Sequence, residues 1–104
     1  MTDTVAAPDV LSRSDAERLS EVMQALSSPV RLRILDHLSR EPSTVSAVAA
    51  ALGLQQSTLS NHLRLLRHLS LVTGVRDGKN VRYALADEHA AVFLTQLKSH
   101  LAHL

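Results

Sequence analysis

The 104-residue chain contains no cysteine and no tryptophan, and Phe93 and Tyr83 are its only large aromatics. Without cysteine there can be no disulfide, no thiolate metal site and no cysteine nucleophile, and the redox compartment is left open. With so few aromatic rings, the 45% of hydrophobic residues is mostly Leu, Val and Ala, a set that suits helices packed on helices. No apolar run approaches the roughly 18 residues that a membrane helix needs. The first residues, MTDTVAAPDV, lack the basic start and apolar core of a secretory signal. These absences lead to the expectation of a soluble, cytoplasmic protein with no membrane partner. At this length one domain is expected, with a core thin enough that a dimer interface would add useful buried area.

Net charge is only +1, so the balance itself names no partner. Its distribution is uneven. Residues 1–27 carry Asp3, Asp9, Asp15, Glu17 and Glu21 against Arg13 and Arg18, whereas residues 54–85 carry Arg64, Arg67, Arg76, Lys79 and Arg82 against Asp77 alone. A basic segment inside a nearly neutral chain is the form a local phosphate-binding surface takes.

Residues 1–13 read as a disordered N-terminal tail and 14–104 as a single domain. Ser14, with Glu17 three residues later, has the capping-box spacing and is expected to open a first helix carrying Leu19, Val22, Met23 and Leu26. Ser28-Pro29 is a cap followed by a favoured first helical residue, and the second helix runs to about Ser39. Glu41-Pro42-Ser43 reads as a turn. Thr44 or Ser46 then caps a short helix, Val45 to Leu52, stopped by Gly53, and a longer helix follows from about Gln56 to Leu69. Two such helices joined by a tight glycine-containing turn form a helix-turn-helix pattern. Beyond them the period alternates: LVTGVR and NVRYAL read as strands of a hairpin turning at Asp77-Gly78. Asp87 is expected to cap a last helix reaching Leu104. The fold class is mainly α with a small β-hairpin.

In the second helix of the pair, Leu59, Leu63, Leu66 and Leu69 share one face and would bury it. Near its start the opposite face offers Gln56, Ser57, Ser60, Asn61 and Arg64. In a major groove, Gln or Asn pairs with adenine, Arg with guanine and Ser with either. Free N–H groups at the helix start favour phosphate. Arg76, Lys79 and Arg82 on the hairpin would meet the neighbouring DNA backbone. Together these features point to double-stranded DNA as partner and to a regulator, not an enzyme.

LSSPVRLRIL, AAALGLQQSTLSNHLRLLRHLSLV and RDGKNVRYAL resemble the ArsR/SmtB family of bacterial metal-sensing repressors, and with both terminal helices the resemblance spans about residues 14–104. It implies a winged helix-turn-helix homodimer built through the first and last helices and bound to an inverted-repeat operator. It also implies that Gln56, Ser57, Ser60 and Asn61 face the groove.

Of six histidines, His89, His100 and His103 lie in the last sixteen residues, with Asp87 just ahead of them. His100 and His103 share a helical face. His89 and His100 also share a face, but at about 1.5 Å per residue they stand roughly 16 Å apart, too far for one ion. If two copies of the helix pack antiparallel about a two-fold axis, His89 lies opposite His100 and Asp87 opposite His103 in nearly one register. Each end of the pair then gathers one carboxylate and three imidazoles from two chains. That donor set suits tetrahedral Zn(II) and leaves no open position for catalysis. Soft ions are poorly served without thiolates. The spacing matches the family's last-helix metal site, Asp-x-His-x10-His-x2-His, residue for residue, while the family's cysteine-based site is absent. By the resemblance, His100 would link to the backbone carbonyl of Ser70. His62 is assigned to the groove face, His68 to a structural role and His37 to the surface.

These readings combine into a zinc-responsive transcriptional repressor whose metal-free homodimer holds operator DNA and dissociates on binding Zn(II). The alternatives are a Ni(II)- or Co(II)-responsive repressor of the same family, and an effector-independent DNA-binding regulator. Residues 1–36 hold no histidine to extend the coordination shell, which favours zinc.

Overall fold

The computed structural model describes residues 10–104, so most of the expected tail lies outside the described residues. The first helix, α1 (Arg13–Leu26), starts earlier than the capping box at Ser14 and Glu17 suggests. Ser12 is the cap, extended in backbone, with Oγ accepting from the Asp15 N–H at 3.1 Å. Ser12–Asp15 repeats the Ser14–Glu17 spacing two residues upstream, and the earlier pair wins. Helix α2 (Pro29–Arg40) begins as expected, with Pro29 in its first turn and Ser28 Oγ accepting from the Arg31 N–H.

Between α2 and α3 (Val45–Leu52) the expected turn contains a two-residue strand, β1 (Ser43–Thr44). Thr44 both ends β1 and caps α3, its Oγ1 accepting from the Ala47 N–H at 3.2 Å. Gly53 stops α3 at φ +70°, a left-handed conformation that glycine adopts without steric cost. Helix α4 (Gln56–His68) follows after three residues; Leu69 caps its end and Ser70, just beyond, holds φ +61°.

Strands β2 (Val72–Asp77) and β3 (Asn80–Leu85) form the hairpin, with Val72 opposite Leu85 and Asp77 opposite Asn80. The turning residues are therefore Gly78 and Lys79, and Gly78 takes φ +66° at the first of the two. β1 adds to the other side of β3, giving an antiparallel sheet of order β1-β3-β2.

Asp87 caps α5 (Glu88–Ser99) through Oδ1, which accepts from the Ala90 N–H at 3.0 Å. The last helix does not continue unchanged to Leu104. Residues His100–His103 tighten into a 3-10 turn, as helix ends do when their last carbonyls take i to i+3 partners. Ile34, Leu35 and Leu38 of α2, Val48 of α3, and Leu59, Leu63 and Leu66 of α4 form the buried core with Val72. Ala25 and Leu26 are the only buried residues of α1, and Leu94 is the only one of α5. Among the described residues no helix is long and apolar enough to cross a membrane.

Candidate nucleic-acid interface and metal ligands

Helix α4 is anchored by the face expected to be buried. Leu59, Leu63 and Leu66 are fully enclosed, while Leu69, one residue past the helix, is half-buried. Gln56, Ser57, Asn61 and Arg64 are exposed and Ser60 is half-buried. Arg64 donates to Asn61 Oδ1 at 3.0 Å, so the two present one hydrogen-bonded edge. Helices α1, α2, α3 and α5 each have a side chain bonded to an N–H of their first turn; α4 has none at Gln55. Its leading N–H groups are left for an outside acceptor, and a phosphate oxygen is such an acceptor.

The hairpin cations divide into two kinds. Arg76 and Lys79 are exposed, with no ion pair among the described residues. Arg82 is engaged within the protein: its guanidinium lies 3.2 Å from Asp77 Oδ2 and donates to the Pro42 carbonyl at 3.4 Å. It braces the hairpin against the segment leading into β1.

The four acidic and imidazole side chains of the last helix form two pairs at its two ends. At the start, His89 Nδ1 lies 4.0 Å from Asp87 Oδ1, and His89 is fully exposed. Asp87 Oδ1 serves the helix cap, leaving Oδ2 for another partner. At the far end the His100 and His103 rings sit 5.9 Å apart, centroid to centroid. Among the described residues of the single chain, no group of three or more such side chains converges on a metal position. One carboxylate oxygen and three exposed imidazole rings are a donor set that fits Zn(II), provided the two pairs come from different chains.

His100 lines a largely apolar groove of about 530 Å³ together with Met23, Leu26, Leu32, Leu97 and Leu101. Ser70 lines a different cleft, with Leu19, Val22 and His68. The structure does not bring His100 and Ser70 together within one chain. In the lining of the groove Lys98 Nζ reaches Asp36 Oδ1 at 2.6 Å, and Arg40 takes Oδ2 of the same carboxylate at 2.7 Å. The Lys98 hydrogen bond, aided by the charges of Arg40 and Lys98, holds Asp36 below the usual carboxylate range against a desolvation cost that raises it.

Two histidines sit elsewhere than expected. His62 is half-buried and turned toward α2, not the groove, with Nδ1 3.4 Å from an Arg31 guanidinium nitrogen. His37, expected on the surface, is half-buried with Nε2 3.3 Å from Ser43 Oγ. Both partners depend on chain folding and carry no signal in local spacing.

A family description, helix-turn-helix domain, matches residues 26–75. The chain is 40% identical over 94 residues to the HTH-type transcriptional regulator NmtR of Mycobacterium tuberculosis, covering 90% of this chain and 78% of that one. It is 38% identical over 94 residues to the transcriptional repressor SmtB homolog of Synechocystis, covering 90% and 71%. Among solved structures, the homodimeric winged helix-turn-helix DNA-binding domain of Mb0332 from Mycobacterium bovis superimposes with a TM-score of 0.84. That pair shares 28% identity over 94% of this chain and 91% of the other. On these relatives the chain belongs to the ArsR/SmtB family of winged helix-turn-helix proteins and is a DNA-binding transcriptional regulator, not an enzyme.

Proposed function

We propose that this regulator is a zinc-responsive repressor whose metal-free homodimer holds an inverted-repeat operator and releases it on binding Zn(II). The observation that carries the reading is the layout of α5. Its ligand pairs, Asp87 with His89 and His100 with His103, stand at opposite ends of an outer surface that stays exposed through Val92, Phe93, Leu97 and Leu101. Met23 of α1 lines the same groove as Leu97 and Leu101, and Leu19 is exposed farther along α1. A second copy would cover the outer surface of α5, and antiparallel pairing of the two last helices would bring each ligand pair to the complementary pair of its partner. The name of the Synechocystis relative, a repressor homolog, supports the direction of control. The domain then comprises about residues 12–104, two residues more than the 14–104 expected from sequence, because Ser12 caps α1.

In this reading Gln56, Ser57, Ser60, Asn61 and Arg64 face base edges, while Arg76, Lys79 and Arg82 lie along the backbone. Bound zinc would supply a closed four-coordinate junction between the two chains. The residues of the chain do the rest: α5 and the 3-10 turn fix the dimer shape, and that shape sets the spacing of the two α4 helices. Release requires the metal-bound dimer to favour the shape that does not fit DNA. By the family resemblance His100 would be the coupling ligand, linking toward the Ser70 carbonyl just past α4, a contact the single chain does not make and the metal-bound dimer would have to form.

Sedimentation equilibrium with parallel metal analysis tests the interchain arrangement. The expected result is a dimer without metal that takes up about two zinc ions at saturation, one per symmetric site. A stable monomer binding one zinc per chain contradicts it.

A further inference from the structure

The last turn of α1 lacks a donor. Ala25 is only 3% exposed, and in a continuing helix its carbonyl would accept from the N–H four residues on. That residue is Pro29, which has no N–H. Arg31 Nε supplies the bond instead, at 2.7 Å. The other arm of the same guanidinium crosses to α4, where it lies 3.4 Å from His62 Nδ1. Arginine only donates, so His62 accepts through Nδ1 and carries its proton on Nε2. Burial, with the Arg31 charge beside it, keeps this imidazole below its ordinary range and therefore a neutral acceptor. Arg31 is itself fixed at the start of α2 by the bond from its N–H to Ser28 Oγ. One side chain thus joins three helices.

His62 stands between Asn61, exposed on the reading face, and Leu63, buried in the core. Because its ring and these neighbours share one rigid helical turn, a displaced ring would rotate the turn that carries Asn61. We propose that Arg31 and His62 are positioning residues for DNA reading, the joint through which the α1–α2 corner sets the rotation of α4 in the groove. The proposal rests on the reading of α4 as the groove-entering helix. It identifies a route from α1, part of the dimer surface, to the bases that uses neither a metal ligand nor a phosphate contact.

The test is operator affinity and its salt dependence for Arg31→Lys, His62→Leu, His62→Gln and the Arg31→Lys/His62→Leu double variant, with thermal unfolding of each. Arg31→Lys keeps the charge but loses the two-armed donor, and His62→Leu keeps the bulk but loses the acceptor. Each is expected to weaken operator binding about fivefold or more, and the double variant no further than the weaker single one, as for residues acting through one contact. His62→Gln, whose amide oxygen accepts, should recover most of the affinity. The salt slope should stay at the wild-type value in these variants and in Arg31→Met, which removes the charge, because no phosphate contact is lost. A slope reduced by about one would make the residue a phosphate contact and overturn the proposal; additive losses, or unchanged affinity in both single variants, would overturn it as well. Gln56→Ala separates the two levels of inference. If it leaves sequence preference unchanged, the groove reading of α4 fails; if it responds while the Arg31 and His62 variants do not, only the joint fails.

Discussion

The middle of the chain and its two ends are built differently. Helices α2, α3 and α4 close on one another around Ile34, Val48, Leu59, Leu63 and Leu66, and the sheet seals that core at Val72. Helix α1, helix α5 and the 3-10 turn after it also carry apolar side chains but place much of them outside: Leu101 is 66% exposed, and Leu19, Met23, Phe93 and Leu97 are exposed too. The middle is finished within one chain, whereas the ends present a surface that a partner copy would complete. The difference separates the two jobs of the molecule. The proposed DNA reading sits on the self-sufficient part and the proposed metal response on the part that a second chain would complete.

The sharpest way to break this comparison is to remove one leucine from each region. Leu63→Ala in the enclosed core should cost about 2–5 kcal/mol in unfolding free energy, read by denaturant titration. Leu101→Ser should cost the folded chain far less and should instead move the sedimentation profile toward monomer. Equal unfolding costs at the two sites would remove the distinction between finished core and open face.

The next effect lies within the half proposed to read DNA. Arg76→Ala should weaken binding to operator and unrelated DNA alike, and lower the slope of log affinity against log salt by about one. Arg82→Ala should instead lose hairpin stability as well as affinity, because its guanidinium already holds Asp77 and the Pro42 carbonyl. If the two variants behave identically in thermal unfolding, the bracing role of Arg82 is wrong.

The smallest effects concern the contacts that tie each end to the middle, and they carry a pH signature. His62 is held below its ordinary value of 6.5 in the fold by burial and by Arg31, the charged group within hydrogen-bond reach. The unfolded chain therefore takes up this proton first as pH falls below about 6.5, and stability declines from there down to the folded-state value. Asp36 is held below 3.8, so its contribution is present above that value and is lost as pH falls through the lower folded-state value. His62→Gln should remove only the upper window. Asp36→Asn should remove only the lower and cost about 1 kcal/mol or less at neutral pH, as partly exposed ion pairs do. A wild-type unfolding curve flat from pH 7 to pH 5 would contradict the His62 assignment.

Much of this was legible in the sequence because helix boundaries are written locally. Ser28-Pro29, Thr44, Gly53 and Asp87 each act where their chemistry predicts, and the period change after Leu71 marks the hairpin. What was not legible depends on distant partners or on a choice between equal signals. Ser12 and Ser14 offer the same capping pattern, and only the folded chain shows which is used. Strand β1 is two residues long and exists because β3 lies beside it. The Arg31–His62 contact spans 31 positions, so His62 read as one more polar residue of α4. The ligand residues were named from their spacing along one helix, but their assembly belongs to a pair of chains, which a single chain cannot display.

The central claim is that metal bound at the ends of α5 controls DNA held by α4. Fluorescence anisotropy of labelled operator, measured without metal, with zinc and again after chelation, tests it most directly on the wild type and on His100→Asn. The wild type should lose about tenfold or more in affinity with zinc, a coupling within the usual range for allosteric proteins, and regain it on chelation. His100→Asn should match the wild type without metal and fail to release DNA when zinc is added. Wild-type affinity unmoved by zinc, or a His100→Asn response equal to the wild type's, would contradict the account.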